Sequence, residues 1–314
     1  MTQAPILTVT LNPALDLSAR VDTLLAGPKL RLSDPVYEPG GGGVNVARAI
    51  HALGGPVVAW VALGGGSGDQ HLALMQAQGL DVRSFAAPGE TRQNWAITDA
   101  EGQQFRLQLP GTDWDVSTAE QAMTDILAHA RGHVVLSGSQ PPGVNDGFAQ
   151  DLAAQLGPGR LVVDTSGAVL SRLVNWPRAD APLLLLRLDQ AEAEALAGQP
   201  LAKPHDSAAF AQRLIDRGVA SMVCVARGGD GSVLAGPDMA HHCRPPNVPI
   251  VSKVGAGDSF TGAFTLALVQ GQSPAQALRY GTAAAAAAVM TPGSALCRAG
   301  DVARLLPECT LADL

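Results

Sequence analysis

One pattern constrains the fold of this chain more than any other: short aliphatic runs, each stopping at a loop of Gly, Ser, Asn or Asp. Ile6 to Leu11 ends at Asn12-Pro13, and Val134 to Leu136 ends at Ser137-Gly138-Ser139. Leu161 to Asp164 ends at Thr165-Ser166-Gly167, and Leu183 to Leu188 leads into a helical stretch containing Glu192. Met222 to Val225 stands ahead of Ala226-Arg227-Gly228-Gly229-Asp230-Gly231. Runs this short and this apolar read as strands covered on both faces. Strands that alternate with helices predict an α/β fold with a doubly wound, mostly parallel sheet flanked by helices. Aromatic residues make up only 4% of the chain, so the core must be aliphatic. The hydrophobic content of 46% excludes global disorder. A chain of 314 residues admits one large domain or two smaller ones. No repeat, linker or boundary interrupts it after Gly111, so one domain over 1–314 is expected.

Two stretches depart from the pattern. Residues 17–38 alternate weakly, carry Lys29, Arg31 and Tyr37, and fit no helix. Residues 91–109 alternate through Trp95, Ile97, Phe105 and Leu107 around Asp99-Ala100-Glu101-Gly102, a hairpin pattern. Both are expected to form strands outside the main sheet.

The formal net charge of -7 disfavours nucleic acid and anionic membranes as partners, while leaving room for an anionic small molecule held by a few local Arg or Lys side chains. Cys224, Cys243, Cys297 and Cys309 show no paired spacing and read as free thiols, with neither a zinc site nor a redox pair. The start of the chain lacks the features of a signal peptide, and the run Ala283 to Val289 is far too short to span a bilayer. A soluble cytoplasmic protein is expected.

The chemistry concentrates in Val254-Gly255-Ala256-Gly257-Asp258-Ser259-Phe260, a loop that feeds an Ala-rich helix. The first N–H groups of a helix lack internal partners and sit at the positive end of its dipole, which makes such a turn an anion site. Asp258 is a lone carboxylate within it, either a helix cap or a base aimed at a bound group. Two glycines ahead of it exceed what a cap requires. A second glycine loop, Pro39-Gly40-Gly41-Gly42-Gly43-Val44-Asn45, runs straight into a helical pattern rather than behaving as a linker. Gly64-Gly65-Gly66-Ser67-Gly68-Asp69 opens another strand-to-helix turn. Asp16, read alone, is a turn-forming Asp just past the first strand.

These two glycine signatures resemble those of the ribokinase-like (PfkB) carbohydrate kinases, and the intervening pieces follow that family's order over essentially the whole chain. The resemblance implies that Asp258 is the general base and that Gly255, Ala256 and Gly257 form the anion hole. It places Asp16, Asn45, Gly41, Gly42 and Ser139 at the sugar. It implies a small β lid from about 16–38 and 91–110, and a homodimer paired through it. ATP and Mg²⁺ are implied, with Arg187, Asp189, Ala226, Gly228, Gly231 and Thr282 at the nucleotide and Glu192 ordering Mg²⁺ through water. A K⁺ site near Ser252, Val254, Ala288, Thr291 and Gly293 rests on the resemblance alone.

Within the family the chain is most similar to the phosphosugar branch. Arg92, with Lys29 and Arg31 from the lid, is then the expected holder of a phosphate already on the substrate, because guanidinium offers a planar fork of donors. The acceptor implied is the C1 hydroxyl of fructose 6-phosphate. Kinases for fructose 1-phosphate or tagatose 6-phosphate are the alternatives, and they usually carry Lys where Gly42 stands. Two departures keep other readings open. The family's Asn-x-x-Glu reads Asp189-Gln190-Ala191-Glu192, with Arg187 two residues earlier in place of Lys, and the nucleotide loop starts with Ala226 rather than a hydroxyl residue. A kinase for an unphosphorylated sugar or nucleoside, and a non-catalytic sugar-binding protein, remain the competing classes.

Overall fold

Seven strands lie parallel at the centre of the molecule, and the chain enters them in the middle. A computed structural model describes residues 4–314. In chain order the strands are β1 (Ile6–Thr10), β2 (Ala14–Arg20), β3 (Val36–Gly40), β4 (Val57–Leu63), β5 (Asp81–Ala86), β6 (Arg92–Thr98) and β7 (Gln104–Gln108). They continue with β8 (Val134–Ser137), β9 (Leu161–Asp164), β10 (Leu183–Asp189), β11 (Ala220–Ala226), β12 (Ser232–Gly236), β13 (Met239–Arg244) and β14 (Thr310–Asp313). The helices are α1 (Gly42–Ala52), α2 (Gly65–Ala77), α3 (Val116–His129), α4 (Phe148–Leu156) and α5 (Gly167–Asn175). They are followed by α6 (Gln190–Ala197), α7 (Pro204–Asp216), α8 (Ala256–Val269), α9 (Pro274–Val289) and α10 (Ala299–Leu305).

The large sheet has ten strands in the order β14-β13-β12-β11-β10-β9-β8-β1-β4-β5. Pairing is parallel from β11 through to β5 and antiparallel from β11 out to β14. The expected doubly wound sheet is therefore present, with an antiparallel edge that the sequence pattern did not announce. The apolar run of β12 is only three residues long, Val233 to Ala235, and β13 and β14 mix polar with apolar residues, so the pattern is weak there.

Alternate residues of each central strand enter opposite cores. Ile6, Val162 and Cys224 pack under α1, α8 and α9, while Leu7, Val163 and Val225 pack against α3, α4 and α7. Burial on both faces explains the uninterrupted aliphatic runs. The chain leaves β1 toward β4 on one side and returns to β8 on the other, so the strand order reverses between β1 and β8. In open α/β sheets ligands bind in the crevice at that reversal.

The second sheet has four strands in the order β3-β2-β6-β7, built from the two stretches that broke the main pattern. Asp16 does not lie just past a main-sheet strand as expected. It sits inside β2, opposite Glu38 and Asn94. The chain turns at Asn12-Pro13, where the Asn12 amide donates to the Pro110 and Gln140 carbonyls and to Ser139 Oγ, and then re-extends into the small sheet.

Candidate active site

Helix α8 starts at Gly255, whose φ of 77° is left-handed and has no penalty in a residue without Cβ. Asp258 lies in the first turn and makes no capping bond, so the carboxylate is not the helix cap. Asn45 Nδ2, on α1, donates to Asp258 Oδ2 at 3.0 Å across 213 residues of sequence. Burial pushes the Asp258 carboxyl up to about 7, and the nearby Asp164 carboxylate adds to it; Asn45, Arg187 and Arg48 oppose the rise.

Arg187, which the sequence showed as a departure, is paired with Asp164 at 3.2 and 3.3 Å, and Asp164 also accepts from Thr261 Oγ1 at 2.9 Å. A Cβ on Gly257 would stand 2.8 Å from Arg187 Nη1, so the anion loop and the guanidinium are in contact only because that residue is glycine. The Arg187 Nε is buried without a protein partner. Beside it opens a cavity of about 380 Å³ lined by Arg187, Asp189, Ala226, Gly228, Gly231 and Thr282, with apolar walls from Val248, Phe260 and Val289. All six residues expected at the nucleotide thus line one cavity.

A second cavity, of about 440 Å³, is lined by Asp16, Glu38, Asn94, Arg106 and Lys253. Asn94 Nδ2 donates to Asp16 Oδ1 at 2.9 Å, and a Cβ on Gly40 would fall within the Asp16 carboxylate. Burial raises the Asp16 carboxyl above its usual range, against the Asn94 hydrogen bond. A Cβ on Gly41 would stand 2.8 Å from Thr10 Cγ2, and a Cβ on Gly42 would collide with Ser137 Oγ and lie 2.6 Å from the Gly138 nitrogen.

The basic residues are dispersed. Arg92 lies on β6, where Nη1 donates to the Leu109 carbonyl at 3.0 Å and Nε to the Pro13 carbonyl at 3.4 Å, and it lines a cleft with Asn12, Pro13 and Gly111. Ser139 accepts from Asn12. Lys29 and Arg31 are exposed on the irregular segment between β2 and β3 and line neither cavity.

Glu192 is engaged differently from the sequence expectation. It closes a capping box, accepting from the Asp189 N–H at 2.9 Å while Asp189 accepts from the Glu192 N–H at 2.8 Å. Asp and Asn cap equally well, which accounts for Asp189 in place of Asn. Burial and then the charges of Asp189 and Asp164 raise the Glu192 carboxyl. The donor set is hard oxygen and suits Mg²⁺. Among the described residues no three acidic, His or Cys side chains form a metal cage, so water and phosphate would supply most ligands. Ser252 donates to the Gly293 carbonyl at 2.9 Å, Val254 N–H to Ser252 Oγ at 3.2 Å, and Thr291 Oγ1 to the Ala288 carbonyl at 2.7 Å, which joins these residues in one knot beside the start of α8. Among the described residues no helix is long and apolar enough to cross a membrane.

A twisted α/β sheet whose strand order reverses at a glycine loop, with a carboxylate in the first turn of a helix whose Ala256 and Gly257 line a cavity, defines a class. The model of the pfkB family carbohydrate kinases matches residues 9–299, and the chain belongs to that family. It is 36% identical over 304 residues to the ATP-dependent 6-phosphofructokinase isozyme 2 of Mycobacterium tuberculosis, covering 95% of this chain and 88% of the relative. Its identity to the enzyme of the same name from Escherichia coli is also 36%, over 96% of this chain and 97% of the relative. A 1-phosphofructokinase from Xanthomonas campestris is 32% identical over 96% of this chain and 94% of the relative. Among solved structures, Escherichia coli phosphofructokinase-2 in complex with potassium superposes with a TM-score of 0.88 at 32% identity, covering 97% of this chain and 99% of that one. The same protein in complex with fructose-6-phosphate gives 0.87 at 33%, with the same coverage.

Sequence reasoning missed Asp164, Arg48, Asn94 and Arg106 as members of the site. Asp164 ends a strand at a ligand-binding edge, which was a usable signal. Arg106 alternates with Phe105 and Leu107 in the hairpin and therefore had to face the other side. Arg48 and Asn94 carry no local signal, because their partners are supplied by distant segments.

Proposed function

We propose that this chain transfers the γ-phosphoryl group of ATP to the C1 hydroxyl of fructose 6-phosphate, giving fructose 1,6-bisphosphate and ADP. The observation that carries this is the position of Asp258. It stands on the α8 N-terminus, with Arg187 of the nucleotide cavity and Asn45 of the glycine loop as its neighbours. In this reading Asp258 takes the C1 hydroxyl proton as that oxygen attacks the γ-phosphorus. The amides of Gly255, Ala256 and Gly257 hold charge on the transferring group, and ADP departs into the cavity lined by Gly228, Gly231 and Thr282. Mg²⁺, when bound, neutralises phosphate charge, and Glu192 with Asp189 would orient its water ligands. Asp16, Asn45, Gly41, Gly42 and Ser139 hold the sugar, and Arg92 holds its phosphate. The solved relative with potassium favours a monovalent cation at the knot of Ser252, Val254, Ala288, Thr291 and Gly293.

A 1-phosphofructokinase is the second reading, favoured by the Xanthomonas relative. The crowding around Gly42 counts against it, since a Lys there would displace Ser137 and Gly138. We further infer one kinase domain with the small sheet as its lid, excluding water that would compete as acceptor. Tyr37, Trp95 and Leu107 align across the lid strands and are exposed, which supports a dimer through that face. Four free, buried cysteines fit a cytoplasmic location.

A coupled ADP-release assay decides among these readings. Fructose 6-phosphate should exceed fructose 1-phosphate, tagatose 6-phosphate and free fructose in kcat/KM. Preference for fructose 1-phosphate would move the assignment to the second reading, and equal use of free fructose would overturn the phosphate site.

A further inference from the structure

We propose that Arg48 is a positioning residue for phosphoryl transfer: it decides which end of the Asn45 amide faces Asp258. The inference rests on the reading of Asp258 as general base. Asn45 has one carbonyl end and one NH₂ end, and the amide can turn either way. Arg48 lies one helical turn further along α1 and donates from Nη1 to Asn45 Oδ1 at 3.1 Å. A guanidinium has only donors, so the oxygen of Asn45 must face Arg48. The NH₂ is thereby forced toward Asp258, where it donates to Oδ2 at 3.0 Å. The reversed amide would turn a carbonyl on the carboxylate and an NH₂ on the guanidinium, and both contacts would be repulsive.

Arg48 is itself fixed from several directions. Its Nε donates to Gln78 Oε1 at 2.8 Å, Nη1 also reaches the Ser294 carbonyl at 3.4 Å, and Nη2 lies 3.9 Å from Glu38 Oε1 on the lid strand β3. Its side chain is only 12% exposed. The groups around Asp258 are then Asn45 and Arg48 from α1, Asp164 from β9 and Arg187 from β10. Asp164 disfavours the anion, and Arg187 is already shared with Asp164. Asn45 gives Asp258 a direct hydrogen bond that favours the ionised form, and Arg48 orients that bond. Through Glu38 the same arginine links the lid strand to the base.

The test compares wild type, Arg48→Met, Arg48→Lys and Asp258→Asn in kcat against pH with saturating fructose 6-phosphate and Mg·ATP. Arg48→Met should move the acidic limb of the profile upward by about one pH unit. Its kcat on the alkaline plateau should stay within about threefold of wild type, and KM for ATP should be unchanged. Arg48→Lys, which keeps a donor and a charge, should restore at least half of that displacement. If Arg48→Met does not fold, by circular dichroism, the Lys variant still tests the proposal through a smaller upward displacement. An unmoved limb in whichever variant folds, or a loss of kcat equal at all pH values, would overturn it. Asp258→Asn separates the two readings: near-normal kcat in that variant removes the base itself, whatever Arg48 does.

Discussion

A carboxylate in the first turn of a helix ordinarily ionises easily, because the free N–H groups there favour the anion. At Asp258 burial and the Asp164 charge outweigh that preference and carry it up to about 7. A base must be unprotonated, so kcat should fall as pH drops through about 7. Asp258→Asn should lower kcat by on the order of 10²–10⁴ while leaving substrate binding intact. The same residue has a stability cost with a defined sign. Its folded value lies above its unfolded one, so the native state binds the extra proton between about 4 and 7, and stability falls as pH rises through that window. Asp258→Asn should therefore be more stable than wild type in urea at pH 8, with a smaller gain at pH 5.5; equal gains at both pH values would contradict this. On the proposed role of Arg92, Arg92→Ala removes a charge-assisted bond to the sugar phosphate of roughly 1.5–3 kcal/mol. Initial rates should show KM for fructose 6-phosphate raised roughly ten- to a hundredfold, at about 1.4 kcal/mol per decade, with KM for ATP nearly unchanged.

At the scale of elements, the Asn45–Asp258 contact depends on how closely α1 and α8 approach. Gly262 sits at that crossing, where an added Cβ would stand 3.1 Å from the Val46 carbonyl and 3.2 Å from Ala49 Cβ. The stacked pair Phe260 and Phe264, with ring centroids 5.7 Å apart, fills the core between α8 and its neighbours. Gly262→Val should push α8 outward, destabilise the protein by roughly 1–3 kcal/mol and lower kcat more than it raises KM. Unchanged kcat in a folded variant would show that the helix spacing does not set the base. The capping box of α6 belongs to the same scale. Asp189 and Glu192 are three apart because a helix N-terminus needs a reciprocal pair at that spacing, and that geometry also leaves Asp189 lining the cavity beside Arg187.

At the scale of the whole molecule, the small sheet presents two unlike faces. Asp16, Glu38, Asn94 and Gln108 form one cross-strand row that lines the cavity. Tyr37, Trp95 and Leu107 form the neighbouring row on the other side, exposed and apolar. An apolar row on a four-stranded sheet is a reason to pair with a second copy. Trp95→Glu with Leu107→Glu should shift the molar mass seen by light scattering to that of the 32.1 kDa monomer and reduce activity. A mass unaffected by both charges would remove the lid face from the interface.

Local patterns specify the parallel sheet, the two glycine loops, the hairpin of the small sheet and the place of Asp258 in the chain. Each is written in a local pattern: two-sided aliphatic runs, glycine where backbone crowds backbone, alternation around a turn. What those pieces meet is set by packing between distant segments. Asp16 looked like a turn residue because the small sheet that holds it is completed by strands about 80 residues further on. Arg187 looked like a departure until Asp164 stood beside it, and nothing in the sequence marked Arg48, whose partners Glu38 and Ser294 come from other elements. Charge pairing depends on distance in space, and distance in space between residues far apart in the chain is set by packing, which no local pattern encodes.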